Sequence, residues 1–338
     1  MKTLKNTISR IFSISFRRFF LCIDAVNKEY KKNKTTIFFD MLFCYIRYGA
    51  GYLDYLTFGF GGLKSKSRKT FMCMNYNLAL VRAMNPVEFR YLLDNKDEFN
   101  RLFFDLLGRE WIDLRTCTEE EFINFVRCKK EFFSKPTDQF GGKGILHIDV
   151  DKAGDLSLLY KELVDTGKYI VEQKIVQHSK MNMLSDSSVN SLRITTLKRN
   201  ETVHILYSIV RMSDGYNAVD NISSGGMYCP VSENGEISAE AFCDNTIEYY
   251  SVHPKTGTVF LGFQIPFYKQ AIGLVTEAAK RVEELRYIGW DVAITENGPV
   301  LIEGNVIPGY DMCQNHLHLK NREEGILPKV KEILGSEN

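Results

Sequence analysis

The spacing of apolar positions changes along this 338-residue chain. Between residues 267 and 285, Ala271, Leu274, Val275, Ala278, Val282 and Leu285 recur at three- and four-residue intervals. That spacing predicts an amphipathic helix. Short runs at residues 169–176, 190–197 and 204–211 read instead as strands, and the last two carry Arg193 and Arg211. Residues 289–305 read as two short strands joined by a hairpin, with Asp291 starting the first and Glu303 and Asn305 ending the second. Residues 30–130 are expected to be mostly helical. An aromatic-rich run at 36–48 is broken by Gly49, Gly51, Gly59, Gly61 and Gly62; Asn85-Pro86 opens a further helix, and residues 94–99 start another. A closing helix is expected over 321–335.

The hairpin carries the first candidate chemistry. Strand side chains alternate, so Leu301, Glu303 and Asn305 are expected on one face. An odd hairpin loop, such as residues 296–298, sets Asp291 opposite Glu303 on that face, whereas a two-residue Asn-Gly turn sets them on opposite faces. Two carboxylates and an amide oxygen on one face make a hard oxygen site, suited to Mg²⁺ or Mn²⁺ and to phosphate chemistry. The plainer alternative is a polar hairpin at a sheet edge.

Upstream, an apolar run ends in Lys135-Pro136 and leads into Gln139-Phe140-Gly141-Gly142-Lys143-Gly144. Three glycines in four residues let backbone N–H groups approach phosphate oxygens, and Lys135 and Lys143 add positive charge. The spacing is not that of a P-loop. A simple hairpin turn is the alternative.

The order is then lysine strand, glycine-rich loop, strand with Glu172, strands with Arg193 and Arg211, Asp291, and Glu303-x-Asn305. This order resembles the ATP-grasp superfamily of carboxylate–amine ligases. A closer resemblance is to the sugar-transfer-associated ATP-grasp family, found with bacterial surface-polysaccharide genes. It rests on Val219-Asp220-Asn221-Ile222-Ser223-Ser224-Gly225-Gly226, His253-Pro254-Lys255-Thr256-Gly257 and Gly262-Phe263-Gln264-Ile265-Pro266. It rests also on Ile288-Gly289-Trp290-Asp291 and on Glu303-Gly304-Asn305 followed by Pro308-Gly309. It covers about residues 90–315. The fold it implies is α+β: two lobes sandwiching ATP, after a mainly helical N-terminal region. The expected division is 1–90, an ATP-grasp domain at 91–320 split near 178, and 321–338. Residues 32–70 lack the alternating βαβ pattern usual in the N-terminal domain of ATP-grasp enzymes.

The resemblance also implies roles. Mg²⁺ or Mn²⁺ would sit on Asp291, Glu303 and Asn305, and Gly141, Gly142, Lys143 and Gly144 would close over the phosphates. Lys135 and Lys96 would reach the α/β-phosphates, although Lys96 also reads as a solvated helix charge. Glu172 would accept from the adenine amino group, with the backbone around Lys174 and Ile175 along the ring edge. His178 would line the ribose pocket or else lie on the surface. Arg193 and Arg211 are planar forks suited to a γ-phosphate or a substrate carboxylate.

Composition narrows the picture. With 43 Lys+Arg against 42 Asp+Glu, a nucleic-acid partner is not expected. The 8 cysteines show no CxxC pair, so buried free thiols in a reducing cytosol are expected. His316 and His318 are expected at the substrate pocket or the surface. In residues 1–20, Lys2, Lys5, Arg10, Arg17 and Arg18 interleave with Ile8, Ile11, Phe12, Ile14, Phe16, Phe19 and Phe20. Neither a spanning segment nor a signal peptide fits that pattern. A helix packed on the domain and a helix on an anionic membrane surface both do.

The expected activity is an ATP-dependent ligase. A carboxylate becomes an acyl phosphate, which an amine then attacks, on a surface-polysaccharide or sugar-linked substrate. The alternatives are a sugar kinase with the same cradle, and a non-catalytic nucleotide-binding component of a glycan assembly complex.

Overall fold

A computed structural model describes residues 15–138, 144–215 and 226–335. The chain forms two compact units. One joins the N-terminal helices, up to Ala79, to the segment from Tyr310 onward; the other is Leu80–Gly309. These units divide the chain at 79/80 and 309/310, not at the expected 90/91 and 320/321. The reason is chemical: residues 310–335 bond to the N-terminal helices. Tyr310 Oη donates to Asp54 Oδ2 at 3.1 Å, and the Gln314 amide pairs reciprocally with the Met72 backbone. Leu327 N donates to Thr70 O, and the closing helix runs only over Leu327–Leu334.

The first unit begins with α1 (Phe16–Tyr30) and α2 (Lys34–Tyr48). Ser15 and Asn33 cap their N-termini, and Gly49 ends α2 with φ 77°, a left-handed conformation that glycine adopts without Cβ strain. His316 is buried in this unit, with Nδ1 on Thr57 O and Nε2 on Glu29 Oε1. It is a structural bond, not the expected pocket or surface residue.

The second unit holds two antiparallel sheets. The smaller contains β1 (Trp111–Asp113), β2 (Glu131–Lys135), β3 (Leu146–Asp149) and β4 (Ile170–Gln173), in the order β1-β4-β2-β3. Helices α3 (Lys96–Leu102), α4 (Glu119–Arg127) and α5 (Leu156–Asp165) belong to the same stretch of chain. Thr118 and Glu121 form a capping box at the start of α4. The apolar faces of α4 and α5 pack with the sheet through Phe122, Val126, Phe132, Leu163 and Val171.

The larger sheet comprises β5 (Ser191–Arg199), β6 (Thr202–Met212), β7 (Met227–Val231), β8 (Ala241–Cys243), β9 (Glu248–Tyr250), β10 (Tyr287–Thr295) and β11 (Gly298–Asn305). Its order is β11-β10-β5-β6-β7-β8-β9. The predicted helix is α6 (Tyr268–Arg281). Its Ala271, Val275 and Ala278 join Trp290, Val292 and Leu301 in one core.

Asn85 closes this core at the start of β10. Its side chain is fully buried and meets four backbone groups: Nδ2 donates to Tyr287 O and Val306 O, while Oδ1 accepts from Arg286 N and Tyr287 N. Gly304 lets Trp290 lie against β11, since a Cβ there would stand 3.0 Å from the indole.

Candidate active site

The β10–β11 hairpin departs from both expectations in an instructive way. Thr295 pairs with Gly298, so the turn is the two residues Glu296-Asn297. An even turn should separate Asp291 from Glu303. The ladder nevertheless pairs Asp291 with Glu303 and Gly289 with Asn305, because it shifts register between Asp291 and Val292. Val292 pairs with Leu301, leaving Ile302 as the extra residue of a β-bulge. The bulge does what an odd loop would have done. It also corrects the expected face of Leu301. Leu301 lies opposite Val292 in the core, while Glu303 and Asn305 share the other face with Asp291. Asp291 stands mid-strand and does not start it.

Asp291 is buried and tightly held. Arg193 Nε and Nη2 reach its two oxygens at 2.5 and 2.9 Å, and Arg211 Nη2 adds a third contact at 2.9 Å. Burial pushes the Asp291 carboxyl up, but the two guanidinium groups outweigh it and hold it below the usual carboxylate range. Both arginines therefore act on Asp291. Arg211 also donates to Ser191 Oγ.

Glu303 behaves in the opposite sense. Surrounding protein, and then the neighbouring Asp291 carboxylate, push its carboxyl up, although the side chain is open to solvent. Asn305 Nδ2 donates to Glu303 Oε1 at 3.2 Å and to Asp291 Oδ2 at 3.4 Å. A half-turn of the amide would present its oxygen to the same point. This donor set fits a hard divalent cation: two carboxylates and an amide, with a repulsion that a cation would relieve. Among the described residues no group of three or more His, Cys, Asp or Glu is placed to hold a metal ion, so a cation here would rest on the two carboxylates and the Asn305 amide.

Across the same cleft lie Lys96, Lys135 and Glu172, together with Glu303, Asn305 and Asn100. Lys96 is the first residue of α3, and its backbone N–H bonds to Thr137 O. Burial, followed by the nearby Lys135, pushes the Lys96 ammonium down. Lys135 ends β2 and pairs with Glu172 Oε2 at 2.6 Å.

Glu172 has a role that differs from the expected adenine contact. Asn100 Nδ2 occupies Oε1 at 2.9 Å, and Arg109 Nε and Lys135 Nζ both occupy Oε2. Arg109 Nη2 approaches Oε1 as well, at 3.5 Å. With four donors the carboxylate is saturated, which leaves no lone pair for an adenine amino group. Burial raises the Glu172 carboxyl, and Arg109 and Lys135 more than reverse the effect.

The remaining candidates lie elsewhere. Lys174 and Ile175 follow β4 in an irregular segment, and Lys174 pairs with Glu131 at 2.7 Å. His178 caps a short helical turn through Nδ1 and lies 3.3 Å from Glu296 in the hairpin turn. Gly144 has φ 72°; Gly141, Gly142 and Lys143 lie outside the described residues.

Asn100 and Arg109 were not anticipated. Asn100 is a single polar residue in α3 and Arg109 one in the bend before β1, with no motif around either. Their partner stands 72 and 63 residues away in sequence.

A family profile for sugar-transfer-associated ATP-grasp proteins matches residues 75–332. Among solved structures, the ATP-grasp ligase PsnB bound to a minimal precursor is similar at 12% identity. The match covers 78% of this chain and 68% of that one, with a TM-score of 0.45. A PsnB complex with minimal precursor, Mg and ADP is similar at 13% identity over 77% of this chain and 65% of that one, with a TM-score of 0.41. The D-alanine–D-alanine ligase of Bacillus anthracis is similar at 11% identity over 77% of this chain and 70% of that one, with a TM-score of 0.40. The chain thus spans about two thirds of the length of these ligases. No curated protein matches the sequence. Since the profile covers most of its length, the chain belongs to the sugar-transfer-associated ATP-grasp family and has the ATP-grasp fold of ATP-dependent ligases.

Proposed function

We propose that this protein is an ATP-dependent ligase that condenses a carboxylate with an amine on a sugar-linked or surface-polysaccharide building block. One observation carries the reading. A single cleft sets two lysines, Lys96 and Lys135, against a carboxylate–amide set, Glu303 and Asn305. The lysines call for an anion and the carboxylates for a cation. A nucleotide polyphosphate with its divalent metal supplies both.

Bound at Asp291, Glu303 and Asn305, Mg²⁺ would neutralise charge on the phosphate oxygens. Lys135, fixed by Glu172, and Lys96 would hold the α- and β-phosphates. Arg193 and Arg211 keep Asp291 ionised and fixed, and through it they orient Glu303. In the first step the substrate carboxylate oxygen attacks the γ-phosphorus and the bond to the ADP oxygen breaks. In the second the amine nitrogen attacks the acyl carbon, phosphate leaves, and the amine gives up a proton. Neither step needs a protein nucleophile, and among the described residues the cleft lining holds no Ser-His or Cys-His pair.

The test is a screen of uronic acids and other sugar acids against amino acids and amino sugars, measuring ADP, phosphate and condensed product. Release of ADP and phosphate that requires both a carboxylate and an amine is the expected result. ADP with a phosphorylated sugar and no condensation would overturn the ligase reading in favour of a kinase.

A further inference from the structure

We propose that α1 and α2 form a docking face for an anionic lipid bilayer. The proposal is independent of the ligase reading. On α2, Ile37, Met41 and Cys44 are buried and set the inward stripe. At 3.6 residues per turn, Phe39, Leu42 and Ile46 lie on the opposite side and Phe38 on the flank that meets α1. Polar residues are expected there, yet Phe39 is 60% and Ile46 74% exposed, and Phe38, Leu42 and Phe43 are exposed as well. Helix α1 extends the same surface: Phe16 is 70% exposed, Phe20 is exposed, and Phe19 meets Phe38 edge to face at 5.9 Å. Asn33 and Gly49 cap α2 at both ends, which fixes these outward positions. A contiguous aromatic and aliphatic face of this kind marks an interaction surface rather than scattered exposure.

Charge selects the partner. Over residues 15–48 there are seven Lys or Arg and three Asp or Glu, in a chain whose overall net charge is +1. The three acids are engaged within the unit: Asp24 with Lys34 at 2.6 Å, Asp40 with Arg68 at 2.6 Å, and Glu29 with His316 at 2.9 Å. Lys2, Lys5 and Arg10 precede this region, and no acidic residue occurs before Asp24. A two-fold contact with a second copy would bring together two segments that each carry an excess of cations. An anionic lipid surface instead attracts the cations and takes up the aromatic side chains at the headgroup boundary. No described helix is long and apolar enough to cross a membrane, so contact would be along the surface.

The experiment is co-sedimentation of the full chain with vesicles of mixed phosphatidylglycerol and phosphatidylcholine, against phosphatidylcholine alone. The protein is expected to pellet with the anionic vesicles and to be weakened by high salt. A triple variant, Phe39→Ser, Leu42→Ser and Ile46→Ser, should lose about tenfold or more of the partitioning. Its circular dichroism and melting temperature should stay at wild-type values, since all three side chains point outward. Three results would overturn the proposal: a wild-type protein that stays in the supernatant, a triple variant that pellets equally well, or a wild-type dimer without vesicle binding that the triple variant dissociates.

Discussion

Arg109 donates through Nε to Glu172 at 3.1 Å while its Nη1 and Nη2 reach the carbonyls of Leu301 and Ile302 at 2.7 and 3.3 Å. One buried guanidinium thus joins the strand that positions Lys135 to the bulge that positions Glu303. Removing it leaves the Glu172 carboxylate with a weaker set of partners in a buried site and leaves two bulge carbonyls without their donor. Arg109→Ala should destabilise the protein by about 3–5 kcal/mol in urea unfolding at neutral pH. Arg109→Lys should recover only a small part, because one ammonium cannot span carboxylate and carbonyls as the planar fork does. A loss below about 1 kcal/mol for the alanine variant would show that Arg109 does not tie the two sheets.

The acid limb of stability follows from the same carboxylate. Arg109 and Lys135 hold Glu172 below its ordinary value of 4.5 against the opposing effect of burial. Its contribution is therefore fully present above pH 4.5 and is lost as pH falls through the depressed folded-state value. Glu172→Gln should lower stability at neutral pH and flatten its decline below about pH 4. Equal slopes for the two proteins over that range would contradict the assignment.

Asn85 predicts a second, separate weak point. Its amide satisfies four backbone groups in a fully buried position. Asn85→Ala should cost about 3 kcal/mol or more, since several buried groups lose partners at once. Asn85→Asp keeps the acceptor and loses the donor, so the Tyr287 and Val306 carbonyls would face a carboxylate and stability should also fall. Thermal denaturation of both variants checks this, and a melting temperature unchanged in either would refute the role.

At the bulge, Glu303→Gln should separate stability from turnover. It removes the repulsion with Asp291, so the protein without ligand should be at least as stable as the wild type. ATP-dependent turnover should fall about a hundredfold or more, because the lost charge matters most as phosphoryl charge shifts. Parallel unfolding curves and ADP-release assays measure both, and unchanged turnover would remove Glu303 from the metal site.

Much of this was legible in the sequence, and what was not has physical reasons. The three- and four-residue spacing of Ala271, Val275 and Ala278 marked α6, and the runs around Arg193 and Arg211 marked β5 and β6. Asp291, Glu303 and Asn305 were visible as oxygen donors. How they share a face was not, because a bulge is one extra residue with no composition of its own, and Ile302 looks like any strand isoleucine. Asn85, Asn100 and Arg109 were missed because their work is done across long sequence separations. The saturation of Glu172 escaped for the same reason: three of its four contacts come from Asn100 and Arg109, which no local pattern connects to it.

The central claim is that the cleft binds a nucleotide polyphosphate together with a divalent metal, and thermal denaturation with ATP and Mg²⁺ tests it most directly. At about a hundred times the dissociation constant a native-state ligand adds about 2.7 kcal/mol. For a unit of this size that raises the melting temperature by about 5–10 °C. Most of the shift should vanish in Lys135→Ala, and it should weaken when Mg²⁺ is withheld. No shift in the wild-type protein with any nucleotide, with or without metal, would contradict the account.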